Sequence, residues 1–355
     1  MQTRSHIRRT ACVLASAAGL LGIGACTSHP RGPAPFAKGA DVGWLQQMEA
    51  TGYRFYNAKG EPQDCLRILR DNGINSVRLR VFVNPSEDRL SGHCSPAEVT
   101  AMAVRARRMG FRIMIDFHYS DTWADPHVQR KPAAWASHSF DQLLADVYGH
   151  TFSVLSAMKS SGVVPEWVQV GNEIAPGMLW PDGRTEHWDQ LAALLNRGYD
   201  AVKAVDGSIK VVIHLDRGNH GAMYRAFFDN YLKRGGRWDV IGMSYYPWWE
   251  RKEYTETIGG LRDNLVDMAS RYGKEVLVCE VGGDFKKPQD TYDMLVAVQR
   301  AVRAVPDGKG LGVFYWEPEG EMTWSHYRLS CWGPDGRPTL ALGAFRWEGP
   351  PASPP

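Results

Sequence analysis

The sequence predicts a single α/β domain, a (β/α)8 TIM barrel, and two observations carry that prediction. Short apolar runs alternate with longer stretches of helical periodicity over nearly the whole chain, the pattern of βα units around a parallel sheet. No GxGxxG or GxxxxGK[ST] pattern follows any of the runs, which weakens the doubly wound, nucleotide-binding sheets that share the alternation. A chain of 355 residues suits one such domain, since α/β barrels commonly pass about 250 residues.

Taken in order, the strands are expected at 39–43 (GADVG), 76–82 (SVRLRVF), 112–117 (RIMIDF), 167–170 (WVQV), 210–214 (KVVIH), 240–244 (VIGMS), 275–279 (EVLVC) and 312–316 (GVFYW). The first helix, 63–72, is stopped by Gly73. The second, 96–109, opens on a Ser95 cap with Pro96 in the first helical position and closes at Gly110. Further helices are expected at 140–160, ending near Gly162, and at 185–205, 221–234, 257–272 and 291–304, with a short closing segment at 339–347. No internal repeat or second domain is visible, so the catalytic domain is placed at 39–347, with a disordered tail at 348–355.

The N-terminus reads as a targeting segment. Arg4, Arg8 and Arg9 precede an apolar stretch, 11–25, too short for a stable membrane span. It ends in Ile23-Gly24-Ala25-Cys26, which resembles a bacterial lipoprotein box. A signal peptide over 1–26, lipidation of Cys26 and a Pro-rich tether over 27–38 are therefore expected. The protein would be exported and held at the cell envelope by a lipid anchor, or otherwise secreted. Cys65, Cys94, Cys279 and Cys331 remain, with three possible pairings and no CxxC spacing to suggest zinc. Cys279 lies in an apolar run and reads as a buried thiol. Net charge is +2, from 41 basic and 39 acidic residues, and no basic stripe points to nucleic acid.

In a barrel of this kind, function gathers where strands end and βα loops begin. Those positions hold Arg78 and Arg80, then Asp116, His118 and Tyr119, then Gln169, Asn172 and Glu173. His214 follows, then Ser244, Tyr245 and Tyr246, then Glu280, and finally Trp316 and Glu317. Glu173 and Glu280 end the fourth and seventh runs and would face one another across the barrel mouth. Two opposed carboxylates suit glycoside cleavage: one, protonated, donates to the leaving oxygen, and the other, ionised, attacks the anomeric carbon. A gap of about 5–5.5 Å gives retention, and about 6.5–9.5 Å gives inversion. A lone strand-end Glu is often only a partner for an arginine such as Arg78 or Arg80. Asn172, directly before Glu173, tips the balance, because an amide there can bind the sugar 2-OH.

At this point the chain resembles the arabinogalactan endo-β-1,4-galactanases, glycoside hydrolase family 53, of the clan of retaining barrels. The matching segments include KGADVGWLQQME, VRLRVFVNP, IDFHYSDTWADPHVQRKPAAW, WVQVGNEIAPGMLWPDG, DVIGMSYYPWW, KEVLVCE and GVFYWEP. The resemblance implies endo cleavage of the β-1,4-galactan side chains of pectin, with Glu173 as acid/base and Glu280 as nucleophile. It implies Asn172 on the 2-OH, Arg78 supporting the nucleophile, His118 lining the sugar site, Tyr245 hydrogen-bonded to the nucleophile and Trp316 beneath the cleaved sugar. Arg80 shares the pocket by the two-residue repeat of a strand. Asp41, His214 and Tyr246 read equally as pocket residues or as an inner-barrel polar network. Among the outer aromatics, Trp180 and Trp248 are expected to stack on sugar, and Trp123 and Trp249 to pack in loops.

Val281-Gly282-Gly283-Asp284 departs from the family's usual Thr-Ala-Tyr-Pro, so distal subsites are expected to differ. Glu319 and Glu321 show no calcium-cage spacing; no cofactor and no metal are expected, and the protein is read as a monomer. The rivals are a retaining glycanase of the same clan acting on mannan, xylan or cellulose, a non-catalytic glycan-binding surface lipoprotein, and a metal-dependent hydrolase built on Asp116, His118 and His214.

Overall fold

The computed structural model describes residues 35–90 and 93–349. Eight parallel strands close into a barrel in sequential order. They are β1 (Ala37–Asp41), β2 (Ser76–Val81), β3 (Arg112–Phe117), β4 (Trp167–Val170), β5 (Lys210–Leu215), β6 (Val240–Tyr245), β7 (Glu275–Val281) and β8 (Gly310–Tyr315). Among the described residues, the seven helices of seven residues or more lie between them: α1 (Cys65–Asp71), α2 (Pro96–Arg108), α3 (Phe140–Ser160), α4 (Trp188–Val205), α5 (Gly221–Lys233), α6 (Tyr254–Tyr272) and α7 (Pro288–Arg303). The predicted fold class is therefore the observed one. The segment predicted at the C-terminus is a 3-10 turn, Leu340–Arg346, and it packs on α7 in place of an eighth helix.

Local chemistry explains the boundaries. Ser95 and Glu98 form a reciprocal capping box at the start of α2, and Ser139 and Gln142 form another at α3. Three short elements were not visible in the sequence, a four-residue helix at Met322–Ser325 among them. The others are a helix of six residues, Leu45–Ala50, and a two-stranded hairpin, Gly177–Met178 with Gly183–Arg184. All are too short to show a period.

The core has two parts. Outward-facing strand residues pack on the helices in one large cluster. A second cluster fills the barrel itself: Ala37, Met114, Trp167, Val212, Val240, Leu277, Cys279 and Phe314. Gly39 leaves room for it, since a Cβ there would lie 2.0 Å from the Phe314 ring. This apolar plug occupies the N-terminal half of the barrel, so the polar inward residues are stacked at the C-terminal half.

β1 begins at Ala37, within the stretch read as tether, and Lys38 pairs with Glu348 at 2.7 Å, within the stretch read as tail. Cys26 and the signal peptide, most of the tether and residues 350–355 lie outside the described residues. Cys65, Cys94, Cys279 and Cys331 are all buried and free, so no pairing among them forms. Among the described residues, no helix is long and apolar enough to cross a membrane.

Candidate active site

Strand alternation sends every second residue inward, and the inward set forms the site. From β2 come Arg78 and Arg80, from β3 Asp116 and then His118, from β4 Gln169, from β5 His214 and from β6 Ser244, all of them buried. Glu280 needs an irregularity to join them. Leu277 and Cys279 already face inward, so simple alternation would turn Glu280 out toward the helices. The register slips by one residue against both neighbours: Met243 pairs with Val278 but Ser244 with Glu280, and Val313 pairs with Val278 but Tyr315 with Val281. That bulge aims Glu280 into the barrel mouth.

Arg78 is the hub beneath it. Its Nη1 reaches Asp41 Oδ2 at 2.5 Å and Glu280 Oε1 at 2.9 Å. Its Nη2 donates to Asp116 Oδ2 and to Asn172 Oδ1, each at 2.9 Å, and its Nε to Gln169 Oε1 at 3.1 Å. The planar fork thus makes four hydrogen bonds and an ion pair with Glu280. Burial pushes the Glu280 carboxyl up, and the Arg78 charge and the Tyr246 hydroxyl oppose that rise. Burial lifts Asp41 further, to about 8, although Arg78 touches it.

The tyrosine bonded to Glu280 is Tyr246, not Tyr245, on which that contact was expected. Tyr246 Oη donates to Glu280 Oε2 at 3.1 Å. Tyr245 points outward, its hydroxyl 2.8 Å from Thr257 Oγ1 and bonded to the Tyr254 carbonyl on α6. Parity decides it: Val240 faces inward at the start of β6, as does Ser244, and Tyr246 continues that series. Tyr246→Phe is expected to lower kcat/KM roughly 10–100-fold, the value of a hydrogen bond to a charged group. Tyr245→Phe should leave kcat/KM unchanged and cost about 1 kcal/mol of stability. Steady-state kinetics and thermal melts on both variants check the assignment.

Glu173 lies three residues beyond β4, in a left-handed turn with φ 47°. Tyr119, Arg217 and Glu317 adopt similar positive φ just past their own strands. Such backbone is costly for a residue with a Cβ, and the surrounding bonds hold it in place. Ser244 Oγ donates to Glu173 Oε1 at 2.6 Å, and the Glu173 N–H points at His214 Nδ1 at 3.4 Å. Burial drives the Glu173 carboxyl well above the usual range, and the nearby Glu280 adds to the rise. Asn172, on which the 2-OH contact was predicted, is anchored by Arg78 at Oδ1 and donates from Nδ2 to the Ala124 carbonyl at 2.8 Å. His118 is also in the site, with Nε2 3.0 Å from Asp116 Oδ2 and Nδ1 accepting the Ala124 N–H at 3.0 Å.

Glu317 has a structural task. It pairs with Arg80 and accepts the Gly43 and Trp44 N–H groups at 2.9 and 3.1 Å, closing the barrel between β8 and β1. Glu319 is fully buried behind it, and burial followed by the Glu317 charge drives its carboxyl well above the ordinary range. A group raised on folding contributes stability below its unfolded pKa and loses it as pH climbs through the folded value. Glu319→Gln removes that loss, so its melting temperature should gain on the parent by roughly a few °C between pH 5 and pH 9. Parallel melts across that range test the sign.

Aromatic groups wall the cleft. Trp316 packs edge-on against Tyr327 at 4.6 Å, Trp44 at 5.1 Å and Trp123 at 5.8 Å. Trp123 is packed as expected, with the Arg80 guanidinium 4.3 Å from its ring. Trp249 is not: it is 66% exposed, on a 3-10 turn, Pro247–Glu250, that holds it clear of the barrel. Trp248 is 37% exposed and Trp180 half-buried, and each has an arginine over one face, Arg328 at 4.7 Å and Arg184 at 3.9 Å. The unusual Gly282-Gly283 pair has a steric reason. A Cβ on Gly282 would lie 2.8 Å from Tyr327 Oη, and one on Gly283 2.5 Å from Thr291 Oγ1.

Ser244, Gln169 and Tyr327 received no role from the sequence. Parity along β6 and β4 identifies the first two as inward-facing. Tyr327 comes from the loop after β8, where no periodic signal exists. Among the described residues, no group of three or more His, Cys, Asp or Glu is placed to hold a metal ion.

The chain was compared with known proteins. The model of glycosyl hydrolase family 53 matches residues 37–335. A protein of Niallia circulans, described as uncharacterized and in the bgaB 5′ region, is 36% identical over 332 residues, 84% of this chain and 88% of that one. The arabinogalactan endo-β-1,4-galactanase of Thermothelomyces thermophilus is 34% identical over 313 residues, 81% of this chain and 90% of the enzyme. Among solved structures, the GH53 catalytic domain of Ignisphaera aggregans superposes with a TM-score of 0.81 at 31% identity, covering 89% of this chain and 97% of that one.

Proposed function

The chain belongs to glycosyl hydrolase family 53, and from that membership we propose that it is an arabinogalactan endo-β-1,4-galactanase, with Glu280 as nucleophile and Glu173 as acid/base. The observation that supports this best is the contrast between the two carboxylates. Glu280 is held by the Arg78 charge and the Tyr246 hydroxyl, both of which favour the ionised form. Glu173 has no cation in contact and is raised by burial and by Glu280, so it is the one that keeps a proton.

Cleavage then runs by double displacement with retention. Glu280 attacks the anomeric carbon as the glycosidic C–O bond breaks, and Glu173 gives its proton to the departing oxygen. A covalent galactosyl ester forms on Glu280. Water, losing a proton to the Glu173 carboxylate, then attacks the same carbon and frees the carboxylate of Glu280. Arg78 stays fixed beneath Glu280 throughout, and Asn172 presents an amide hydrogen toward the 2-OH position. Trp316, half-buried at the mouth, serves as the floor of the cleaved subsite, with Trp180 and Trp248 as outer platforms.

Product analysis on a panel of polysaccharides tests the reading. Release of oligosaccharides from β-1,4-galactan, with the β anomer first seen by NMR at the new reducing end, is the expected result. Release from mannan, xylan or cellulose with none from galactan would overturn it. We also propose that Cys26 carries a lipid anchor, on the strength of the Ile23-Gly24-Ala25-Cys26 box. Detergent-phase partitioning that is lost in Cys26→Ala is the expected outcome; a parent protein already in the aqueous phase would refute it.

A further inference from the structure

We propose that a one-way chain of hydrogen bonds, running from Arg78 through Gln169, His214 and Ser244, ends on Oε1 of Glu173 and reserves Oε2 for the proton that the leaving group receives. The inference rests on the reading of Glu173 as acid/base and deepens it. Gln169, His214 and Ser244 are positioning residues in this scheme.

The directions are read outward from the one group that can only donate. Arg78 Nε can only donate, so the Gln169 atom 3.1 Å away is its carbonyl oxygen. The Gln169 amide nitrogen therefore faces the other way, 2.7 Å from Asp116 Oδ1 and 2.9 Å from His214 Nδ1, with Asn172 Oδ1 at 3.1 Å and the Gly171 carbonyl at 3.3 Å sharing its two hydrogens. The backbone N–H of Glu173 points at the same Nδ1. Nδ1 also lies 3.0 Å from Asn172 Oδ1, an oxygen that already accepts from Arg78 Nη2 at 2.9 Å and Gln169 Nε2 at 3.1 Å. With that acceptor served from two other groups and two donors aimed at Nδ1, the imidazole hydrogen is placed on Nε2 in this scheme. That nitrogen is 2.8 Å from Ser244 Oγ, which makes the serine oxygen the acceptor there. The serine hydrogen is then free for one partner, Glu173 Oε1, at 2.6 Å. His214 and Ser244 are buried, at 0% and 1% exposure, so water does not compete for these bonds. Burial and the Arg78 charge also hold the imidazole well below its ordinary pKa, which keeps a single hydrogen on the ring.

A hydroxyl donor seeks the more basic oxygen of a carboxylic acid, the carbonyl one. With Ser244 bonded to Oε1, the acid's own hydrogen belongs on Oε2. The same bond serves the second half of the reaction, when Glu173 is a carboxylate: Oε2 takes the proton from water while Ser244 stabilises the charge left on Oε1. Bonds polarised in one direction reinforce each other in a dry interior, so the arginine end strengthens the serine end.

The donor favours the ionised form, so its removal raises the pKa of the acid. Ser244→Ala is therefore expected to move the alkaline limb of kcat/KM up by roughly one pH unit, the value of a hydrogen bond to a charged group. The acid limb should stay in place. The other groups facing Glu173 are Glu280 on β7, Arg78 on β2, Asp216 after β5, Tyr224 on α5 and Tyr246 after β6, and the substitution leaves them all intact. Turnover of galactan should fall more than that of a dinitrophenyl β-galactobioside, whose leaving group needs no proton, and Ser244→Thr should restore the parent profile.

Nitrogen-15 NMR of the unsubstituted protein gives a readout that survives any folding failure. His214 should show the Nε2–H tautomer at neutral pH, with Nδ1 bare. An Nδ1–H tautomer, or a folded Ser244→Ala with an unmoved alkaline limb, would overturn the chain. Glu173→Ala separates the two levels of the argument. If it loses galactan turnover but keeps turnover of the activated glycoside, the acid/base reading stands whatever the serine does. If it does neither, that reading fails first and the chain fails with it.

Discussion

Glu280→Ala is expected to lower kcat on β-1,4-galactan by on the order of 10⁴ or more, since removing a nucleophile leaves only binding and electrostatics to act. Glu173→Ala should cost about 10²–10⁴, the usual contribution of a general acid, and less for a substrate with an activated leaving group. Rates alone do not separate the roles; azide does. In Glu280→Ala the small anion enters the space left below the sugar and displaces the leaving group directly, giving the α-galactosyl azide. In Glu173→Ala with an activated glycoside, Glu280 still forms the ester, and azide attacks it from the opposite face to give the β-galactosyl azide. The two products differ at one carbon and are distinguished by the anomeric proton coupling. Exchange of the two stereochemical outcomes would reverse the assignment, and near-parental activity in either variant would end it. The environments make the prediction sharp, because only Glu280 contacts a cation, Arg78 at 2.9 Å, while Glu173 meets a neutral serine.

Much of this site was legible in the chain because a barrel converts strand ends into neighbours. Glu173, Glu280, Arg78, His118, Asn172 and Trp316 are all predicted at strand ends, and all lie at the same mouth. What was not legible follows from two physical causes. The first is parity. A strand read as an unbroken apolar run gives no sign of which face is which, so Tyr245 and Tyr246 were exchanged. The inward position of Ser244 settles both. The bulge at Cys279–Glu280 is the converse case, where strict alternation would have turned the wrong residue inward. The second cause is loop packing. Tyr327 reaches Trp316 from a segment with no period, and the exposure of Trp249 depends on a four-residue 3-10 turn. Both are decided by contacts distant in sequence. Gly282 and Gly283 show how tightly: the first has no room because of Tyr327, the second because of Thr291. The altered loop after Glu280 is thus shaped by residues from the β8 loop and from α7, and its sequence alone could not say so.

Arg78→Met should produce the second large effect, on stability and on the acid limb of activity together. Arg78 lies buried among Asp41, Asp116 and Glu280, with side-chain exposures of 0%, 0%, 0% and 7%. Removing one partner from a buried ionic cluster costs about 3–5 kcal/mol, because the remaining charges stay buried without compensation. Three carboxyls then share a dry pocket, and the cheapest relief is for them to take up protons. In the proposed mechanism Glu280 must be ionised to attack, and the loss of the cation raises its pKa, so the acid limb of kcat/KM should move to higher pH while the alkaline limb changes less. Arg78→Lys separates charge from geometry. An ammonium restores a positive charge but has three donors on one nitrogen, whereas the guanidinium serves five acceptors from a rigid plane. The acid limb should therefore recover further than stability does, since Gln169 and Asn172 lose the donors that orient them. Denaturant unfolding and pH–rate profiles on the two variants read both quantities. An Arg78→Met protein with parental stability would show that the carboxyls are already protonated in the resting enzyme. An unmoved acid limb would show that Glu280 does not depend on the arginine for its charge.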